Sequence, residues 1–186
     1  MTLLVPQQGI KSRIDLTDQL WFWKNGITSS VRHWRGKPGV KISFQIDSDL
    51  RSLDTVLKYF QQLEPTGIPQ KDWLQCQLAL AEGFTNAVRH AHRHLPPEIP
   101  IEIEIEITPH QMEIRIWDRG SVFDLEDFIE KNAYHDYSFS GHGQGLPILQ
   151  KIADQLSYTR SEDQRNCLLI IKQFSRHESD RTPRFS

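Results

Sequence analysis

Residues 101–107 read Ile-Glu-Ile-Glu-Ile-Glu-Ile. Strict alternation of this kind makes a strand with one buried and one wet face, because successive side chains point to opposite sides of a pleated backbone. A strand half-buried in this way belongs to an antiparallel sheet covered on one side only. Thr108-Pro109-His110-Gln111 turns the chain, and Met112, Ile114 and Ile116 resume the apolar face. The three glutamates read as a solvated face, with Arg115 near them across the pair. They do not read as a cation site, since neighbours on one strand face cannot enclose an ion.

The flanking segments supply what such a sheet needs. Val40, Ile42, Phe44 and Ile46 alternate with Lys41, Ser43 and Gln45, giving a second half-buried strand. Asp47 or Ser48 can cap the helix that follows, whose stripe is Leu50, Leu53, Val56, Leu57, Phe60 and Leu63. Pro65, Gly67 and Pro69 end it. A longer helix is expected from about Lys71 to His94, stopped by Pro96-Pro97, with Leu74, Leu78, Ala81, Thr85 and Val88 packed inward. A short helix near Leu125–Lys131 and a mobile segment lead to Gly141, Gly143 and Gly145. Pro147 then sits in the first turn of a helix that buries Leu149, Ile152, Ala153 and Leu156. Residues 155–160 and 166–174 read as a last hairpin. Helices and strands in this order predict an α+β fold, a two-layer sandwich in which a mixed, mostly antiparallel sheet carries its helices on one face.

Residues 1–38 fit no single period. They hold Trp21, Phe22, Trp23 and Trp34 ahead of Gly36, Pro38 and Gly39, so they read as an aromatic, basic extension before a domain at 39–175, with a polar tail at 176–186. A short helix is open to Asp15–Trp23. A chain of 186 residues suffices for one domain with a real core. A net charge of -2 argues against a whole-domain nucleic-acid footprint. No apolar run approaches membrane-spanning length, and the N-terminus has no secretory pattern. Cys76 and Cys167 are the only cysteines, the usage of a reducing, cytoplasmic compartment. Between Asp18 and Asp47 there is no acid, while Lys24, Arg32, Arg35, Lys37 and Lys41 stand there, a solvated basic face or a docking surface for an acidic partner.

Three stretches carry chemistry. In LALAEGFTNAVRH, Glu82 and Asn86 are one helical turn apart on one face, where a carboxylate and an amide oxygen can share a magnesium ion and a polarised hydroxyl. Asp118 at a strand end can accept a hydrogen bond from an exocyclic amine, and Gly120 would admit a flat base close to the backbone. The glycines at 141, 143 and 145 can turn backbone N–H groups toward phosphate oxygens at a helix N-terminus. His90 and His94 are also one turn apart, but nothing completes a zinc set around them.

Together these stretches resemble the GHKL, or Bergerat-fold, ATPases, and within them the anti-sigma factor serine/threonine-protein kinase branch. AEGFTNAVRHAH is similar to the branch's E-[AG]-x-x-N-A-x-x-H-A signature at Glu82, Gly83, Asn86, Ala87, His90 and Ala91. DRGSVFD resembles its adenine motif at Asp118, Gly120, Phe123 and Asp124, with Val122 where the larger GHKL families have a second glycine. GHGQGLPIL resembles its phosphate loop at Gly141, His142, Gly143, Gln144, Gly145 and Leu146. The likeness covers about residues 40–174. It implies ATP and magnesium, Glu82 as catalytic base, Asn86 as magnesium ligand, and Asp118 and Gly120 at adenine. It implies a serine or threonine of a STAS-fold anti-sigma antagonist as substrate, a sigma factor as second partner, and a homodimer. The lid, 125–140, holds no arginine and one lysine, so Lys131, His142 or Arg51 must bring positive charge to the γ-phosphate. If none does, the alternative expectation is a nucleotide-binding module that sequesters its partner without efficient phosphoryl transfer.

Overall fold

The computed structural model of the chain describes residues 28–34, 37–63, 68–132 and 145–174. The described strands are β1 (Thr28–Trp34), β2 (Lys37–Ile46), β3 (Ile101–Ile107), β4 (Gln111–Asp118), β5 (Gln155–Arg160) and β6 (Asn166–Gln173). They form one sheet in the order β1-β2-β3-β4-β6-β5. The helices are α1 (Leu53–Gln61), α2 (Gln70–Asn86), α3 (Leu125–Asn132) and α4 (Gly145–Ile152). The two-layer α+β architecture is the expected one. Every described pairing is antiparallel, so the sheet is not mixed. Two successive helices between β2 and β3 return the chain to the end it left, which makes those neighbours antiparallel. β5 does run in the direction of β4, but β6 folds back between them.

Residues 28–34, to which the pattern assigns no element, pair with β2 from Thr28↔Ser43 to Trp34↔Lys37. An edge strand is held by one backbone ladder and needs no two-faced periodicity, so it leaves little trace in sequence. The segment at 15–23 and the glycine loop at 141–144 lie outside the described residues, as does the segment from 133 onward that was expected to be mobile.

The alternating isoleucines behave as their period requires. Ile101, Ile103 and Ile105 are fully buried, and Ile103 and Ile105 sit opposite Ile116 and Ile114. On the other face Glu104 meets Lys41 Nζ at 3.0 Å and Arg115 at 3.9 Å, and Glu102 meets Arg165 at 2.7 Å. Asp49, not Asp47 or Ser48, caps the helical entry after β2, accepting the Arg51 N–H at 2.8 Å in a short 3₁₀ turn before α1. In α1 the buried residues are Val56, Tyr59 and Phe60, while Leu50 is exposed. α4 buries Leu149 and Ile152, and Leu156 belongs to β5.

The orientation of α2 departs from the expected one. Leu74 and Leu78 are 55% and 44% exposed, and Ala81, Thr85 and Val88 are only half-buried. The inward face is instead Trp73, Cys76, Ala79, Leu80, Gly83 and Phe84. Two apolar stripes compete on this helix, and close packing decides between them. A Cβ at Gly83 would stand 2.5 Å from Ile116 Cδ1, so the helix rests on the sheet at a distance where any larger residue would have to displace that side chain. Trp73 stacks on Phe60 of α1 at 4.2 Å. Cys76 and Cys167 are both buried, and burial pushes their thiols up to about 12 and about 11.

The two stripes predict opposite mutant behaviour. Leu80→Ala should cost about 2–5 kcal/mol in urea unfolding, and Leu78→Ala no more than about 0.5 kcal/mol. The reverse order would contradict this helix orientation.

Candidate functional site

β4 ends on Asp118, which is 2% exposed. A carboxylate buried so deeply must be hydrogen-bonded, and this one is. Its Oδ1 accepts the Gly120 N–H and the Asn166 Nδ2–H, each at 2.8 Å. Its Oδ2 accepts the Tyr158 hydroxyl at 2.7 Å. Asn166 stands opposite Asp118 in the β4–β6 ladder, and its Nδ2 also reaches the Gly120 carbonyl at 3.1 Å. Arg160 donates to Asn166 Oδ1 at 3.0 Å and to the Gly120 carbonyl at 3.2 Å. Burial, with the Asp118 charge beside it, pushes the Tyr158 phenol well above its ordinary pKa, so it stays protonated and donates.

The helix that carries Glu82 and Asn86 is joined to this strand end. α2 was expected to run to His94, but at Asn86 it gives way to a π-helical turn, Ala87–Ala91, closed by the His92 N–H on the Ala87 carbonyl at 2.8 Å. Such turns recur at functional sites. The wider turn brings Ala91 and His92 against β4. A Cβ at Gly120 would lie 2.7 Å from the Ala91 carbonyl oxygen, and the Arg119 N–H donates to His92 Nε2 at 2.9 Å. Gly120 is therefore needed for contact with the helix end, a reason additional to the expected room for a flat base.

A cleft of about 990 Å³ opens between these elements. Of the residues singled out by sequence, Glu82, Asn86, His90, Asp118, Phe123, Gly145 and Leu146 line it. Gly120 stands behind the wall. Lys131 is exposed and ion-paired with Asp127 at 2.7 Å, and Arg51 is paired with Asp49, so neither is at the cleft. Gly141, His142, Gly143 and Gln144 lie outside the described residues. Gly145 opens α4 directly against the α2 pair. A Cβ there would be 2.9 Å from Glu82 Oε2 and 3.0 Å from Asn86 Oδ1.

Residues 46–172 match the family model of the histidine kinase-like ATPase domain. The chain belongs to that family. ATP is the nucleotide this membership implies for the cleft. No curated protein matches the sequence. Among solved structures, a chain of the SiaB–SiaC complex from Pseudomonas aeruginosa is similar at a TM-score of 0.46 and 12% identity, over 87% of this chain and 99% of that one.

The ATPase-domain cleft fits magnesium in a restricted way. Asn86 Nδ2 is buried without a hydrogen-bond partner among the described residues, so its carboxamide can turn to present oxygen to an ion. Among the described residues no group of three or more His, Cys, Asp or Glu side chains gathers to hold a metal alone. Magnesium commonly takes one or two protein ligands and fills its octahedron with phosphate oxygens and water, which suits Asn86. No hydrogen bond or ion pair to a described residue occupies the Glu82 carboxylate.

Several residues at the cleft or behind its wall escaped the sequence reading. Tyr158 and Asn166 belong to no motif, and only strand register brings them to Asp118. Arg89 lines the cleft, is exposed, and makes no ion pair with a described residue. It is a cation of the cleft that the sequence reading did not consider, and its place three residues after Asn86 was the available signal. Phe123 forms the rim, its ring 5.8 Å from Tyr158 and 5.5 Å from Phe128.

The join at His92 should be sensitive to acid. Burial holds this imidazole below its ordinary pKa, and its Nε2 is an acceptor. The unfolded chain then takes up the proton first, so this stability is complete above about pH 6.5 and is lost as pH falls toward the folded-state value. Urea unfolding between about pH 7.5 and 5.5 should show that loss, and His92→Gln should flatten it. An unchanged slope in His92→Gln would remove His92 from the account.

Proposed function

We propose that this ATPase domain is an anti-sigma factor kinase. It moves the γ-phosphoryl group of ATP to a serine or threonine of a STAS-fold antagonist, and it sequesters a sigma factor as the other arm of a partner switch. The observation that carries this is a single cleft with an acidic amine acceptor, Asp118, in one wall and the Glu82–Asn86 pair against Gly145 in another. The motif resemblance supplies the branch, the partners, the homodimer and the cytoplasmic setting. No described helix is long and apolar enough to cross a membrane.

Each residue has a role that its surroundings permit. Asp118 accepts from the purine's exocyclic amine. The resemblance assigns Gly141, Gly143 and Gly145 to the phosphates, and Leu146, His90 and Phe123, which line the cleft, to the nucleotide. Arg89 adds positive charge. Asn86 would hold magnesium, which when bound neutralises and orients the phosphate oxygens. Glu82 takes the proton from the attacking hydroxyl as the new O–P bond forms and the bond to the bridging β–γ oxygen breaks, releasing ADP. Lys131, His142 and Gln144 are nucleotide contacts by the resemblance alone.

One observation favours the second reading, a sequestering module with nucleotide as a structural ligand. Lys131 and Arg51, two of the cations the sequence offered for the γ-phosphate, stand away from the cleft in ion pairs with Asp127 and Asp49. Transfer of radiolabel from ATP to candidate STAS proteins separates the two. Glu82→Gln should lower transfer by about 100-fold or more, the usual loss for a general base, while ATP still binds. Equal transfer by both proteins would exclude Glu82 as the base. ATP and sigma-factor binding by the wild type without any transfer would establish the second reading.

A further inference from the structure

We propose that Tyr158 is a specificity-determining residue for the base, its hydroxyl donating to the ring nitrogen N1 of adenine while Asp118 accepts from the neighbouring 6-amino group. The inference rests on the nucleotide reading above and adds a second contact to it. An ionised carboxylate offers about four acceptor positions. Three of those on Asp118 are filled, two on Oδ1 by Gly120 and Asn166 and one on Oδ2 by Tyr158. The remaining position is on Oδ2, the oxygen that Tyr158 touches at 2.7 Å.

Both residues line the cleft. A ligand thus meets an acceptor and a hydroxyl side by side. The edge of adenine carries the complementary pair, an amine donor next to an unprotonated ring nitrogen. On binding, the phenol rotates its single proton from Asp118 Oδ2 to N1, and the amine hydrogen takes the vacated place on Oδ2. No buried donor or acceptor is left unpaired by the exchange, which is the condition for polar recognition in a dry site. The phenol keeps its proton throughout, since burial beside a carboxylate disfavours the phenolate. The edge-on ring of Phe123 packs on the phenol and holds its plane.

The neighbouring strand already does what a merely structural Tyr158 would do. Asn166 and Gly120 both anchor Oδ1, so the carboxylate keeps two bonds without the phenol.

The test compares ATP with 1-deaza-ATP, in which N1 is a C–H group, by calorimetric titration with magnesium. The wild type should bind the analogue about three- to tenfold more weakly, the value of one neutral hydrogen bond. Tyr158→Phe should bind both nucleotides equally. Because each protein is its own reference, a general weakening of the variant does not move the ratio. A wild-type ratio near one, or a variant that keeps the wild-type ratio, would overturn the role of Tyr158 while leaving the ATP site intact. A wild type that binds neither nucleotide would instead overturn the ATP site itself, and this inference with it.

Discussion

A carboxylate sealed from water at the end of β4 is the interaction on which the rest of this molecule depends. Burying a charge costs several kcal/mol unless donors replace the lost water. Asp118 draws its donors from three places, the Gly120 backbone, Tyr158 on β5 and Asn166 on β6. These bonds fix the end of the sheet. Gly120 and Arg119 then lock onto Ala91 and His92, so the strand end and the helix end become one unit. The cleft has its shape because two of its walls cannot move independently.

The two ends of that cleft differ in how completely their polar groups are satisfied. His92 Nδ1 and Trp117 Nε1 near Asp118 are buried without a partner among the described residues, while the Asp118 carboxylate itself is engaged by three donors. Around Glu82 the situation is reversed. Asn86 Nδ2 is buried without a partner among the described residues, and neither the Glu82 carboxylate nor Arg89 is held by one. Native proteins seldom leave such groups unpaired without a reason. A saturated end suits reading of a rigid, flat base. An unsaturated end suits a polyanion and its cation, which bring their own partners. This polarity fits the nucleotide that membership of the histidine kinase-like ATPase family implies, and the kinase proposal extends it to a hydroxyl substrate.

Much of this was legible in the sequence where one local rule dominated. The isoleucine–glutamate alternation placed β3 without ambiguity, and one-turn spacing put Glu82 with Asn86. The orientation of α2 was not legible. Leucines at 74 and 78 outweighed Trp73, Leu80 and Phe84 on paper, yet the fit of Gly83 under Ile116 set the buried face. The π-helical turn left no mark in composition, and it gave Gly120 a contact with the helix end that the sequence did not announce. Tyr158 and Asn166 reach Asp118 through register across strands roughly forty and fifty residues away in sequence, a relation that no linear motif records. β1 has no period because one backbone ladder is enough to hold it.

The central claim is that Oδ2 of Asp118 reads the amine of a purine. Purine riboside triphosphate lacks that amine and keeps every other atom of the ring edge, so it isolates the contact. Calorimetric titration of the wild type with magnesium should show it binding at least about tenfold more weakly than ATP, the cost of losing a hydrogen bond to a charged, buried acceptor. Equal affinities for the two nucleotides would contradict the account at its foundation.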